Sequence, residues 1–410
     1  MKKKVPWEFA FLLLLLVYCF LRAKAGGDFD VYLDAAAKLE KGENIYLPPF
    51  INGLQYFNSP LLALLLRPFI GLPYYVPEFF WLVASAWWVW RIWKLLQWYF
   101  PSGVLRETEF RWWVGLSVML VFRFLIANFS MIQLTIFLLW ATMESLRLFR
   151  DNKNVAGGAL LGFAINIKLL PLLLLPYLLY RGWWKGTGST LLFIVIYLIV
   201  PSVFLSWNTN AFLHIEWWKI INPSNAEHII ESGNGTHSLV AFLPVYLTET
   251  TNELPIRRNY VNLTIEQVEW VVNATRLLLI ILMLGFLRRM PFQPVRSRLD
   301  EIRELSYLLL LTPLLFPHQQ KYAFIYIGPA VIYLLWFFII KRRTSFAGWK
   351  GSLSLFVLIS IVLSPLIGRD LIGNYIFEIL QHFRVLTLAV MLLIPLLWYC
   401  KPEKIVTEIV

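Results

Sequence analysis

Apolar runs long enough to cross a lipid bilayer recur along almost the whole chain, and no other feature constrains its fold as strongly. A hydrocarbon core of about 30 Å takes roughly 20 helical residues to cross. Hydrophobic residues make up 59% of the 410 positions and charged residues only 15%, a balance that would leave large exposed apolar patches on a water-soluble domain. The net charge of +12 does not point to nucleic acid, because Lys and Arg sit in short clusters between apolar runs rather than in one stripe. They read as topology signals. The two cysteines, Cys19 and Cys400, lie in apolar runs at opposite ends, and no Cys/His spacing would hold a metal. Disulfide and zinc readings drop out.

Met1 to Ala25 has the features of a secretory signal: Lys2 to Lys4, an apolar stretch from Phe9 to Phe20, then Ala23-Lys24-Ala25. A retained first span has the same features and is the expectation here, since the run with its flanks can cross and many spans follow. Lys and Arg near span ends resist translocation. The clusters Lys2 to Lys4, Arg91 to Arg111, Arg147 to Lys153, Arg181 to Lys185, Arg288 to Arg303, Lys341 to Lys350 and Lys401 to Lys404 are therefore placed in the cytoplasm. Between them the chain goes out and back, giving crossings near 6–23, 77–98, 112–127, 131–148, 154–167, 169–181, 186–206, 267–287, 305–316, 321–340, 352–367 and 379–400. The expectation is one integral membrane domain over 1–410, all-α and polytopic, with twelve spans and both termini inside.

The pair at 154–181 and the segment 305–316 are short, which predicts tilted, broken or half-inserted helices. Pro60 to Pro68 is apolar but too short to span and reads as interfacial or re-entrant. Two long segments, 24–76 and 207–266, fall outside. The first carries more acids (Asp28, Asp30, Asp34, Glu40, Glu43) than lysines (Lys24, Lys38, Lys41) up to residue 58, and an amphipathic helix from about Phe29 to Lys41, stopped by Gly42.

That topology brings Asp28, Asp30, Asn128, Gln133, Lys168, His237 and His318 to one membrane face. Polar groups at membrane depth are costly, about 2.5 to 3.5 kcal/mol for a central charge, so their convergence points to a lined cavity. Asp28 follows Gly26-Gly27 and opens the amphipathic helix. It reads either as an N-cap or as a general base, with Asp30 as its nearby competitor. Lys168, in Asn166-Ile167-Lys168-Leu169-Leu170-Pro171, is either a lysine snorkelling to the interface or a fixed cation for a phosphate. His318 lies in a proline-broken turn beside Lys321, where both would contact a phosphate leaving group; the plain alternative is a solvated histidine. His237, in Gly233-Asn234-Gly235-Thr236-His237-Ser238, sits in a turn that binds substrate or only reverses the chain. Asn128, Asn234, Asn262 and Asn273 open glycan-acceptor patterns that arise often by chance. The many Trp residues fit interfacial belts. P-loop, dinucleotide and nucleophile-elbow motifs do not occur.

The same residues carry a resemblance. Gly27-Asp28-Phe29-Asp30-Val31-Tyr32, Gly42-Glu43-Asn44-Ile45-Tyr46 and Tyr56 with Ser59-Pro60-Leu61-Leu62-Ala63 are similar to the Asp-Phe-x-x-Tyr and Tyr-x-Tyr-Pro-Pro-Leu-x-Ala motifs of glycosyltransferase family 87, the polyprenol-phosphate-mannose-dependent mannosyltransferases of the C-type membrane fold. Gln133-Leu134-Thr135 resembles the family's Gly-Gln-x-Asn element, Gly157-Gly158 through Pro171 its helix ending in Lys-x-x-Pro, and Thr312-Pro313 to His318 its Ser-Pro-x-x-x-x-His turn. The chain departs at Ser59 (a proline in the family), Ile132 (glycine) and Thr135 (asparagine).

The resemblance implies an inverting one-step transfer of a hexose, mannose by family expectation, from a polyprenyl phosphate to a lipid or glycan acceptor. Asp28 would be the base, and Lys168, His318 and Lys321 would offset charge on the leaving phosphate. Gln133 and Tyr32 would orient hydroxyls, with Asp30 and His237 also lining the sugar or acceptor. No cofactor, metal or nucleic acid is implied. The expected location is a bacterial inner membrane with the site facing outward. The rival classes are a flippase or transporter of lipid-linked sugars, which should show repeat symmetry that the chain lacks, and an oligosaccharide polymerase or ligase.

Overall fold

The structure, a computed structural model, describes residues 7–222, 230–231, 235–250, 254–287, 291–295, 297–344 and 347–403. Lys2 to Lys4, Asn234, Arg288, Arg296 and Lys404 lie outside the described residues. Among those described the chain is all-helical, 76% helix with no strand, apart from one isolated bridge between Thr236 and Gln320. The main helices up to residue 221 are α1 (Trp7–Lys24), α2 (Phe29–Glu40), α3 (Pro60–Leu66), α4 (Tyr75–Gln97), α5 (Glu107–Met131), α6 (Thr135–Arg150), α7 (Asn154–Ile167), α8 (Leu174–Tyr180), α9 (Trp184–Ile199) and α10 (Trp207–Ile221). They continue with α11 (Ile265–Leu287), α12 (Arg298–Leu315), α13 (Gly328–Thr344), α14 (Lys350–Leu363), α15 (Asn374–His382) and α16 (Val385–Tyr399).

Each of the twelve expected crossings falls on helix. By length and composition, four helical stretches among the described residues can cross a membrane: Glu107–Met131, Trp184–Leu205, Ile265–Leu287 and Lys321–Arg343. The count is six if the bent pairs α1 with α2 (56°) and α15 with α16 (57°) are each one span. The others fall short for identifiable reasons. Glu78, Arg91 and Lys94 interrupt α4, Asp300, Glu301, Arg303 and Glu304 fill the first turns of α12, and α7, α14 and the Leu170–Tyr180 stretch are apolar but short.

The chain forms two compact units: Met1–Leu95 with Ala127–Leu175 and Trp183–Asn222, and Leu96–Ile126 with Pro176–Gly182 and Pro223–Val410. In the first, α7 lies against α9 at backbone contact, and glycine is what permits it. A Cβ on Gly158 would meet the Ser189 Cβ at 2.6 Å and its carbonyl carbon at 2.7 Å; one on Gly162 would meet the Phe193 Cβ at 2.9 Å. Small residues four apart let membrane helices approach this closely. Asn166 closes the seam, its Nδ2 donating to Gly162 O at 2.9 Å and Ile194 O at 3.3 Å. The position of Lys168, directly after α7, is set by this seam.

The second unit is built around buried α12 and α13. Arg181 and Glu304, both buried, pair at 2.6 Å, and the Tyr177 hydroxyl donates to the same carboxylate at 3.0 Å. Arg303 Nε donates to Leu397 O at 2.9 Å, and Trp113 Nε1 to Ile332 O at 3.0 Å. Desolvated charges here are matched by partners, as burial requires.

The seam makes a prediction. Gly158→Ala should destabilise the protein by about 1–3 kcal/mol through overpacking. Gly188→Ala, on the same α9 but with nothing within 4 Å of an added Cβ, should be neutral or slightly stabilising. Thermal melting of the two variants in detergent checks this, and equal melting points would contradict the seam.

Candidate active site

Between α1 and α2 the chain turns through Gly26, whose φ of +71° suits glycine. Gly27 follows, where a Cβ would lie 3.0 Å from both Met131 O and Ile132 Cγ1. That closeness lets the Asp28 amide donate to Met131 O at 2.9 Å. Arg22 ties the same two turns together, donating to Gly26 O at 2.8 Å and to Ser130 O. Beyond Met131 the chain takes a left-handed conformation at Ile132, φ +50°, and Gln133 N returns to Asn128 O at 3.0 Å. The sharp reversal aims the Gln133 side chain at α2.

Asp28 occupies the N-cap position of α2 but makes no side-chain cap bond, so the plain capping reading does not describe what its carboxylate does. The carboxylate accepts from Gln133 Nε2, and Gln133 Oε1 accepts from the Tyr32 hydroxyl at 3.4 Å. Trp81 Nε1 holds the Gln133 carbonyl at 3.2 Å. Lys168, half-buried in the extended break after α7, completes the group. Burial pushes the Asp28 carboxyl up from its ordinary value, while the Lys168 charge and the Gln133 hydrogen bond pull it back and Asp30 opposes them. Burial lowers Lys168 to about 8, and Asp28 partly offsets this.

Asp30 packs its carboxylate over Gly26 and lies beside the side chain of Glu78, which is fully buried in the first turn of α4. Glu78 is missed by sequence reasoning, because an acid in a first helical turn reads as a partner for the helix dipole. Ser59 N donates to Ile167 O at 3.3 Å, a bond that a proline at this position cannot make.

The second unit gathers His237, His318 and Lys321. His318 has φ +56°, and its Nδ1 lies 2.9 Å from Glu231 Oε1, which also accepts the His318 backbone N–H at 2.5 Å. Ser238 Oγ donates to the other oxygen at 3.4 Å. Glu231 carries no sequence signal, since it sits in a polar segment without periodicity and meets its partner 87 positions away. His237 is fully buried. Its N–H donates to Gln319 O at 2.8 Å, its carbonyl accepts from Thr387 Oγ1 at 2.7 Å, and Gln381 lies beside the ring. Burial first, then the charges of Arg384, Lys321 and Arg123, hold its imidazole well below the ordinary value.

The structure thus brings Asp28, Asp30, Tyr32, Gln133 and Lys168 together in one unit, and His237, His318 and Lys321 in the other. A comparison with family models finds glycosyltransferase family 87 over residues 56–300. The chain belongs to glycosyltransferase family 87. No curated protein and no solved structure matches it. Family membership makes a glycosyltransferase the supported class. The match to family 87 contains Gln133, Lys168 and His237; the Asp28 to Tyr32 motif precedes it, and His318 and Lys321 follow it.

The close approach at Gly27 is testable. Gly27→Val should part the two turns, and amide hydrogen exchange over 26–33 and 128–134 should quicken relative to wild type while exchange in α12 is unchanged. Unaltered protection in both stretches would show that the turns do not depend on this contact.

Proposed function

We propose that this family 87 member moves a hexose, mannose first among candidates, from a polyprenyl phosphate to a hydroxyl of a lipid or glycan acceptor at the non-cytoplasmic membrane face. The observation that carries the reading is the group Asp28, Gln133 and Lys168: a carboxylate at a helix start that caps nothing, is oriented by an amide and faces a cation. Asp28 is the general base. The acceptor hydroxyl gives its proton to Asp28 as its oxygen attacks the anomeric carbon from the side opposite the phosphate. The bond from that carbon to the phosphate oxygen breaks, the electron pair leaves with the polyprenyl phosphate, and configuration inverts. Lys168 offsets the charge gathering on the leaving group.

Gln133 holds Asp28 in position and, with Tyr32 and Asp30, lines the place for hydroxyls. His318 and Lys321 are phosphate ligands of the second unit. We propose the twelve-span C-type fold for the whole chain, in a bacterial inner membrane with both termini cytoplasmic; helix at each of the twelve segments supports it.

Purified protein supplied with radiolabelled polyprenyl-phosphate mannose and candidate acceptors tests the reading. Asp28→Asn should lower transfer about 10² to 10⁴-fold without loss of folding, and full activity in that variant would remove the base assignment. Transport of the lipid-linked sugar without transfer would remove the enzyme reading.

A pH profile tests the pair separately. Asp28 must be ionised to accept a proton and its carboxyl is raised, so transfer should fall on the acid side at a pH above the ordinary carboxylate range. Lys168 must be charged and titrates at about 8, so transfer should fall again as pH rises through that value. Lys168→Arg should carry the alkaline limb upward, because a guanidinium stays charged. An alkaline limb still near 8 in that variant would assign it to another group.

A further inference from the structure

In the second unit Lys321 and Arg369 share one aromatic ring. Lys321 Nζ stands 4.4 Å from the centroid of Phe377, and Arg369 Cζ stands 5.2 Å from the same centroid. The charges of Arg123 and Arg369 both act on Lys321. Arg123, half-buried on α5, spends one nitrogen on Val362 O at 2.7 Å. Among the described residues Lys321 and Arg369 make no ion pair and no hydrogen bond, although Asp370 and Glu378 are carried by the same stretch. Among the described residues the unit matches Arg181 with Glu304, whereas Lys321 has two guanidinium charges acting on it and no carboxylate paired with it.

A ring face attracts a cation but carries no net charge, so the described residues leave the positive charge gathered here for an anion to match. Phosphate oxygens suit this mixture, accepting from the arginine fork and from a lysine point charge at once. The surroundings add a second constraint. Leu366 is 54% exposed, Leu371 70%, Tyr375 65% and Ile376 52%, so the cations are flanked by apolar surface that suits a hydrocarbon tail rather than a free ion.

We propose that Lys321 and Arg369, which share the Phe377 ring, form with the nearby charge of Arg123 a binding site for the phosphate of a lipid headgroup, with Leu366, Leu371 and Ile376 receiving the start of its tail. The site deepens the transferase reading, on which it rests for the presence of a polyprenyl phosphate among the candidate lipids. The shared chemistry is a phosphate on a hydrocarbon chain, from a polyprenyl carrier or from an anionic phospholipid.

The test is binding, read without transfer. Full-length protein in phosphatidylcholine nanodiscs is titrated with farnesyl phosphate, with farnesol as the neutral control, and with nanodiscs containing phosphatidylglycerol as competitor. Arg369→Gln should weaken farnesyl phosphate by about tenfold, the loss expected for one charge-assisted contact, and leave farnesol unchanged; Arg369→Lys should recover most of the affinity. Arg369 is exposed, so its replacement spares the fold. Competition by phosphatidylglycerol that disappears in Arg369→Gln identifies a general anionic-headgroup site, and selectivity for farnesyl phosphate identifies the carrier. Equal farnesyl phosphate affinity in wild type, Arg369→Gln and Lys321→Gln would overturn the proposal. Asp28→Asn should bind as wild type does, so loss of transfer in that variant leaves this result standing, and failure here leaves the Asp28 result standing.

Discussion

The hydrogen bond from the Asp28 amide to Met131 O, 2.9 Å long, is the contact on which the arrangement of the first unit depends. It joins the turn that opens α2 to the turn that ends α5, two stretches a hundred residues apart in the chain. Everything polar at the candidate site is placed relative to it. Gly27 lacks the side chain that would hold the strands of backbone apart, Arg22 clamps both turns from α1, and the reversal after Met131 delivers Gln133 to the carboxylate of the residue whose amide made the bond. A backbone contact thereby sets the direction of a side chain, which is how a loop residue acquires the positional precision of a helix residue.

Burial of charge is handled in two ways. Where Arg181 meets Glu304 and Tyr177, every charge removed from water has a fixed partner within the chain, and nothing is left for a ligand. Around Asp28 the compensation is partial: Gln133 and Lys168 pull the carboxyl down while burial pushes it up, and burial wins. A carboxylate held slightly against its preference is more basic than one in water, and a lysine near 8 is close to losing its proton. Both groups are thus poised to change protonation or to respond to charge developing beside them.

Much of the fold was legible because the bilayer imposes a coarse rule. Apolar length and cationic clusters located helix at each of the twelve segments, and the break at Lys168 was visible as a lysine and a proline between two short apolar runs. The site residues Asp28, Gln133 and Lys168 stood out for the same reason, as polar side chains in apolar surroundings. Glu231 and Glu78 did not. Glu231 is one acid in a polar stretch, and its meaning comes only from His318, which the fold brings to it; Glu78 looks like helix-end electrostatics until α2 places Asp30 against it. Arg369 likewise becomes informative only when the fold sets it and Lys321 over the same Phe377 ring. Pairings between distant segments are the part of the physics that local pattern does not encode.

Two of the three departures from the family pattern, Ile132 and Ser59, follow from backbone geometry. Ile132 stands where the family has glycine and keeps the left-handed φ of +50° that a glycine would adopt freely. A β-branched residue there is an outlier costing on the order of 1–3 kcal/mol, and the surroundings must impose it. They do: Ile132 is fully buried, its Cγ1 stands where a Gly27 side chain would otherwise go, and the bonds at Met131 O and Gln133 N close the turn on either side. The chain has exchanged an easy turn for a packed one while keeping Gln133 aimed at Asp28. Ser59 shows the opposite exchange, since replacing proline supplies the N–H that reaches Ile167 O, next to Lys168. Both departures fall on the backbone that positions the group and leave its chemical side chains in place, as expected if the constraint on this chain is the geometry of Asp28, Gln133 and Lys168 rather than the identity of the residues that support it.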